Sequence, residues 1–163
     1  MTSFTTLLEL HRRLDNLFLE HQRALLRLNL DQASELLAEY EHNLLAHIRD
    51  EEVLMMPLYQ GRAAAPTGGA PDIFLGEHEK LRQFLVLFAR EMEKLKTADD
   101  LEQGVLFLLD SQHLFKRLLV HHDTRESKML YPLLDEVTTE AEREDLFERL
   151  EFSPSKSYAA CQS

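Results

Sequence analysis

The chain carries one cysteine, Cys161, in 163 residues. A single thiol excludes an internal disulfide framework and any zinc or iron–sulfur site built from clustered cysteines. It reads as an inert thiol near the C-terminus. Basic residues are also scarce, with 18 Lys and Arg against 29 Asp and Glu and a net charge of -11. That balance argues against nucleic acid as a partner, because phosphates need a basic face. It argues equally against anionic membrane surfaces. No apolar run approaches the ~20 residues of a membrane-spanning helix. The start of the chain, MTSFTTLLELHRRLD, meets charge too early for a signal peptide. A cytoplasmic protein is the resulting expectation. Glycine and proline are sparse at five each, and Gly61, Gly68 and Gly69 fall in one stretch, which leaves room for long uninterrupted helices. No nucleophile–base pair, phosphate-binding glycine loop or nucleotide fingerprint stands out.

What is present is an apolar content of 44%, enough for one globular domain with a real core. Apolar residues recur at helical spacing along most of the chain. A first helix is expected over about 3–28, through Leu7, Leu14, Phe18, Leu25 and Leu28. A turn follows at 29–31, with Asp31 as N-cap. The second helix is expected over 32–59, with Pro57 kinking or ending its regular part. The segment 61–71 (GRAAAPTGGAP) is a loop. A third helix is expected over 72–96. Asp99 and Glu102 resemble a capping box for a fourth running to about 136, and Thr139 with Glu142 opens a short fifth ending near Phe152. The expected fold is all-α: an up-down-up-down four-helix bundle with a short fifth C-terminal helix, spanning 1–152, and a polar tail over 153–163.

Within this pattern one motif is written twice. His47 and Glu51 stand at i and i+4, with Pro57 ten residues after the His; His122 and Glu126 repeat that spacing, with Pro132 ten residues on. Neighbours agree in the same register: Tyr40 with Phe115, Leu44 with Leu119, Leu54 with Met129, Leu58 with Leu133. Upstream of each copy is a lone His with matching surroundings, His11 before Leu14, Leu17 and Phe18, and His78 before Leu81, Phe84 and Leu85. An imidazole and a carboxylate four residues apart share one helix face. His11 lies 18 residues before Asn29 and His47 lies 16 after Asp31. At ~1.5 Å per residue both sit at nearly one depth. His78 and His122 are level by the same count. His21 corresponds to Phe88 in the repeat and is expected as a buried neighbour near Tyr40. His42, His113 and His121 are expected to point away, and Glu52, one residue past Glu51, to be solvated.

Four imidazoles and two carboxylates aimed at one interior suit two first-row metal ions, iron or manganese above all and zinc less selectively. Two His and two bridging oxygens give each ion about four protein contacts, and an oxo, hydroxo or water bridge adds a fifth. A position then stays open for a small diatomic or peroxide ligand. No acid–base residue is evident beside the ligands, which favours a binding protein over a dedicated enzyme.

These residues resemble the hemerythrin-like, or HHE cation-binding, family. The resemblance rests on His11, on HIRDEEVLMMP from His47 to Pro57, on EHEKL around His78, and on HHDTRESKMLYP from His121 to Pro132. It implies a four-helix bundle around a non-haem di-iron centre. By that similarity His11 and His47 cap one iron, His78 and His122 cap the other, and Glu51 and Glu126 bridge. The chain departs from the O2-carrying members, which have five histidines, two of them at i and i+4 on the third helix. Here Phe74 and Arg82 flank His78 at four residues on either side. The carriers also place the last carboxylate five residues after its His, a spacing that only His121 would supply. A more open and more reactive site is as consistent with the pattern as O2 carriage. The expectation is an iron protein that binds O2 or a related oxidant for sensing, storage or detoxification. Its rivals are a di-iron enzyme acting on peroxide or NO and an iron-responsive interaction protein. A homodimer is compatible with the sequence.

Overall fold

Apolar residues at helical spacing fold as helix throughout the computed structural model, which describes residues 1–155, and no strand occurs among the described residues. A 3-10 turn at Phe4–Leu7 leads into α1 (Leu8–Leu26). Next come α2 (Leu30–Asp50), α3 (Met56–Arg62), α4 (Pro71–Leu95) and α5 (Leu101–Arg125). The described chain ends with α6 (Tyr131–Val137) and α7 (Glu140–Arg149). The four long helices pack in sequence pairs, α1 on α2 and α4 on α5, and the pairs meet through α2 with α4 and α1 with α5. Phe18, Tyr40, Phe84, Phe88 and Phe115 interlock in the interior, with ring centroids 4.8 to 6.2 Å apart.

The helix ends differ in detail from the expected ones. α1 closes in a Schellman motif, with Leu28 N–H donating to Leu25 O and Asn29 N–H to Ala24 O. Leu28 takes the left-handed conformation at φ 56°. Asn29, rather than Asp31, caps α2: its side chain accepts from Gln32 N–H at 3.2 Å. Asp31 lies in the first turn, where its negative charge favours the positive end of the helix dipole. Asp100, rather than Asp99, caps α5 through Gln103 N–H, while Thr139 and Glu142, expected to open the short last helix, do so with a capping box.

Two breaks in helical bonding matter most. Between α2 and α3 the segment Glu51–Met55 is a π turn, and Glu126–Leu130 between α5 and α6 is another. In each, an N–H reaches back five residues: Met56 to Glu51 O and Tyr131 to Glu126 O. Pro57 and Pro132 follow immediately and have no N–H to continue an α ladder, so the extra residue is absorbed just before them. The second helix, expected to kink or end at Pro57, is thus two helices, and the break begins earlier, at the duplicated carboxylate.

The loop between α3 and α4 is fastened from both sides. Tyr59 O–H donates to Gly69 O at 2.7 Å, and Arg125 Nη1 donates to Gly68 O at 3.1 Å. Gly68 has φ 81°, a conformation that side chains with a Cβ rarely adopt. Past α7 the chain lies against the body. The Asp50 carboxylate, 2% exposed, accepts from the backbone N–H groups of Glu151 and Phe152, both at 2.9 Å. Ser153 is buried, and Arg13 donates to Pro154 O. That contact region reaches into what the sequence suggested was free tail. Cys161 lies outside the described residues.

Candidate metal centre

Each half of the chain delivers one His from a first helix and a His and Glu from the next. His11 and His78 project from α1 and α4, His47 from the last turn of α2, and His122 from the last turn of α5. Glu51 and Glu126 are the first residues of the two π turns. All six are buried, the two carboxylates completely. They converge in two groups, His11, His47, Glu51 and Glu126 in one, and Glu51, His78, His122 and Glu126 in the other. Within each group the candidate ligand atoms lie within 4.8 Å of one another.

The carboxylates divide their oxygens between the groups. Glu51 Oε1 is 3.3 Å from His47 Nε2 and Glu51 Oε2 is 3.1 Å from His78 Nε2. Glu126 Oε2 is 3.1 Å from His11 Nε2 and Glu126 Oε1 is 2.7 Å from His122 Nε2. We call the His11/His47 side the first position and the His78/His122 side the second. Glu51 Oε2, His78 Nε2 and Glu126 Oε1 are buried without an aligned hydrogen bond, despite their short separations. Donor atoms that crowd together without bonding to each other are arranged for something between them. Ligands at ~2.1 Å from a shared ion stand about 3 Å apart along an octahedral edge. The set fits a metal ion at each position.

Electrostatics point the same way. Burial works against charge on His11 and His78, yet Glu126 and Glu51 outweigh it and raise both to about 9. His122 is lifted well above the usual imidazole range by Glu126 in the same manner. His47 goes down instead, because burial dominates there. Glu126 is held well below the carboxylate range against its burial, by His122 first and then His11 and His78. Two buried carboxylates thus hold positive charge around them, and cations of another kind can take its place.

The remaining histidines stand aside. His42, His113 and His121 are exposed, so the five-residue spacing of His121 to Glu126 does not reach the centre. His21 is buried, as expected, and its hydrogen-bond partners are Ala33 and Gln112: its Nδ1 donates to Ala33 O at 2.7 Å, and Gln112 lies 2.9 Å from Nε2. Burial pushes it below the ordinary imidazole range.

Three features were not legible beforehand. Tyr131 is fully buried, and its hydroxyl donates to Glu51 Oε1 at 2.6 Å, lying also 3.2 Å from Glu126 Oε2 and 3.1 Å from His11 Nε2. Glu52 is not simply solvated: Oε1 meets His78 Nδ1 at 3.1 Å while Oε2 accepts from Arg82 at 2.7 Å. Glu77 does the same for His122, with Oε2 at 2.8 Å from Nδ1 and Oε1 accepting from Arg125 Nε at 2.8 Å.

The family model for the hemerythrin HHE cation-binding domain matches residues 2–134. The chain belongs to that family. Neither a curated protein nor a solved structure matches it significantly. The HHE domain is a cation-binding one, and the two His/Glu groups are where this chain could hold a metal. Both groups fall inside the matched segment, whereas α7 and the stretch held by Asp50 lie beyond it. No helix among the described residues is long and apolar enough to cross a membrane.

Proposed function

We propose that this HHE domain holds a non-haem di-iron centre that binds O2 or a related small oxidant, for sensing, storage or detoxification. The ligands are His11 and His47 for one iron, His78 and His122 for the other, with Glu51 and Glu126 bridging. The observation that carries this reading is the division of each buried carboxylate between two pairs of imidazoles. A structural ion needs one closed cage; two adjoining groups with shared acids suit a reactive pair. The proposed scaffold is an up-down-up-down bundle of α1, α2, α4 and α5, which brings α2 and α5 onto one diagonal.

When bound, the iron pair supplies one-electron redox chemistry and Lewis acidity for O2, peroxide or NO. The chain supplies the rest. Glu51 and Glu126 are fully shut off from solvent, and the buried Phe74 sets its ring 6.5 Å from that of His122. A surface cleft of about 240 Å³ between α1 and α5, lined by Asp15, Phe18, Leu119 and Asp123 among others, approaches the first position. There Asp123 Oδ1 is 3.6 Å from His11 Nδ1. A diatomic or peroxide fits such an approach. Tyr131 favours a second reading, an enzyme turning over peroxide or NO, because its O–H is a proton donor inside the centre.

Elemental analysis and absorption spectra of anaerobically iron-loaded protein, before and after air, test the proposal. Two irons per chain and new near-ultraviolet charge-transfer bands in air are expected. Stoichiometric binding without any response to air, peroxide or NO would move the centre to a structural or signalling role.

A further inference from the structure

The six ligands repeat between the halves, but the residues behind them do not. Shifting the first motif by its repeat distance places Asp50 opposite Arg125, Glu52 opposite Ser127, and Met56 opposite Tyr131. The upstream repeat places Leu10 opposite Glu77 and Asp15 opposite Arg82. Every member of the two carboxylate–arginine pairs therefore has a counterpart unable to do its work. Behind the second position, Glu77 and Arg125 brace His122, and Glu52 and Arg82 brace His78. Behind the first, Leu10 offers His47 no acceptor side chain, and the Ser127 hydroxyl is spent on Thr124 O. His11 Nδ1 is buried without a hydrogen bond, its nearest acid being Asp123 at 3.6 Å.

The donors themselves differ in the same sense. At the second position, Glu51 Oε2, His78 Nε2 and Glu126 Oε1 have no competing hydrogen bond. At the first, the Tyr131 hydroxyl already engages Glu51 Oε1, Glu126 Oε2 and His11 Nε2. An ion entering there must displace that contact.

We propose that the two metal positions are unequal: the His78/His122 position fills first and retains its ion, and the His11/His47 position is the exchangeable one. A carboxylate accepting the Nδ1–H of a ligating imidazole fixes its tautomer and orientation and makes Nε2 a better donor. An arginine behind that carboxylate holds it in place at both histidines of the second position. Glu52, Glu77, Arg82 and Arg125 are positioning residues. Tyr131 holds the acids of the vacant first position together when only one ion is bound. The chain then carries one divalent ion when metal is scarce and a second only as free metal rises.

This order rests on the metal-centre reading above, and the test separates the two. Metal-free protein is titrated anaerobically with cobalt(II), followed by calorimetry and by the cobalt d–d absorption. Two steps are expected, separated by at least about tenfold in dissociation constant. His11→Ala keeps the tight step and loses the weak one; His122→Ala loses the tight step. Glu77→Gln weakens the tight step by about 10–100-fold and leaves the weak step in place. Arg125→Gln acts in the same direction, and serves alone should Glu77→Gln lose its helical circular dichroism. A purely structural role for Glu77 would shift melting but not one step selectively. Two ions entering in one indistinguishable step, or a tight step that disappears in His11→Ala and survives in His122→Ala, would overturn the order while leaving the metal centre intact. Absence of cobalt binding to the unmodified protein would remove the metal centre itself.

Discussion

At the scale of single residues, the centre is a balance between two buried acids and the protons or ions around them. His11 and His78 fold with values near 9, above the unfolded imidazole value of 6.5. A raised folded value means stability that is fully present below the unfolded pKa and is lost as pH rises through the folded one. The metal-free protein should therefore melt at progressively lower temperature from pH 6.5 to about 9. Metal affinity should move oppositely over that window, since each ion must displace the same protons. Thermal melts with and without metal across pH check both signs; parallel slopes would contradict the account. His47→Ala or His122→Ala should each abolish binding of two ions, whereas the exposed His113→Ala should not, as metal analysis after dialysis would show. Tyr131→Phe leaves Glu51 Oε1 without its donor, at a cost of about 1–3 kcal/mol to the metal-free fold. That loss should shrink on loading, when the oxygen has an ion instead. An equal loss in both forms would mean the hydroxyl matters only to packing.

At the scale of elements, the sequence carried the helices of the proposed ligands and a break near Pro57, but not the π turns that interrupt them. Counting depth from the turns brought His11 rather than His21 level with His47, and the two do meet at 3.1 Å. Repeat partners share their burial as the register implied: Tyr40 with Phe115, Leu44 with Leu119, Leu14 with Leu81. Tyr131 was hidden because helical periodicity assumes one pitch. Five residues beyond Glu126 in a regular α-helix lies roughly 140° away. The π turn takes up one more residue and returns Tyr131 to the same face. Its visible sign was the proline that follows in both copies. Glu52 and Glu77 were hidden for another reason. Each is adjacent in sequence to one ligand but serves a ligand on a different helix, a pairing that lateral packing decides. The close of α1 offers a separate check. Leu28 sits in the left-handed region, which costs a β-carbon roughly 1–2 kcal/mol, and glycine returns part of that through chain entropy. Leu28→Gly should stabilise the fold by about 0.5–1 kcal/mol in urea titrations; destabilisation would mean that the half-exposed leucine contributes more by contact than it loses by strain.

At the scale of the whole molecule, the proposed ligands are drawn from four helices, so metal binding and folding would be one equilibrium. A chain unfolded at any of these helices has no site, so free metal at 1,000 times its dissociation constant adds about 4 kcal/mol of stability. For a chain of this length that corresponds to a rise of roughly 8–16 °C in melting temperature. Calorimetric scans of loaded and chelated protein measure it, and Glu51→Ala with Glu126→Ala should erase the difference. The Asp50 contact extends the point. Asp50 stands immediately before Glu51, and it grips the backbone at 151–152, setting the ring of Phe152 6.2 Å from that of His47. The last described stretch of polypeptide thus packs its aromatic ring against the first position. A gene fragment trimmed to residues 2–134 would retain every proposed ligand, yet it would strip Asp50 of its two backbone partners at 151 and 152, and His47 of the Phe152 ring.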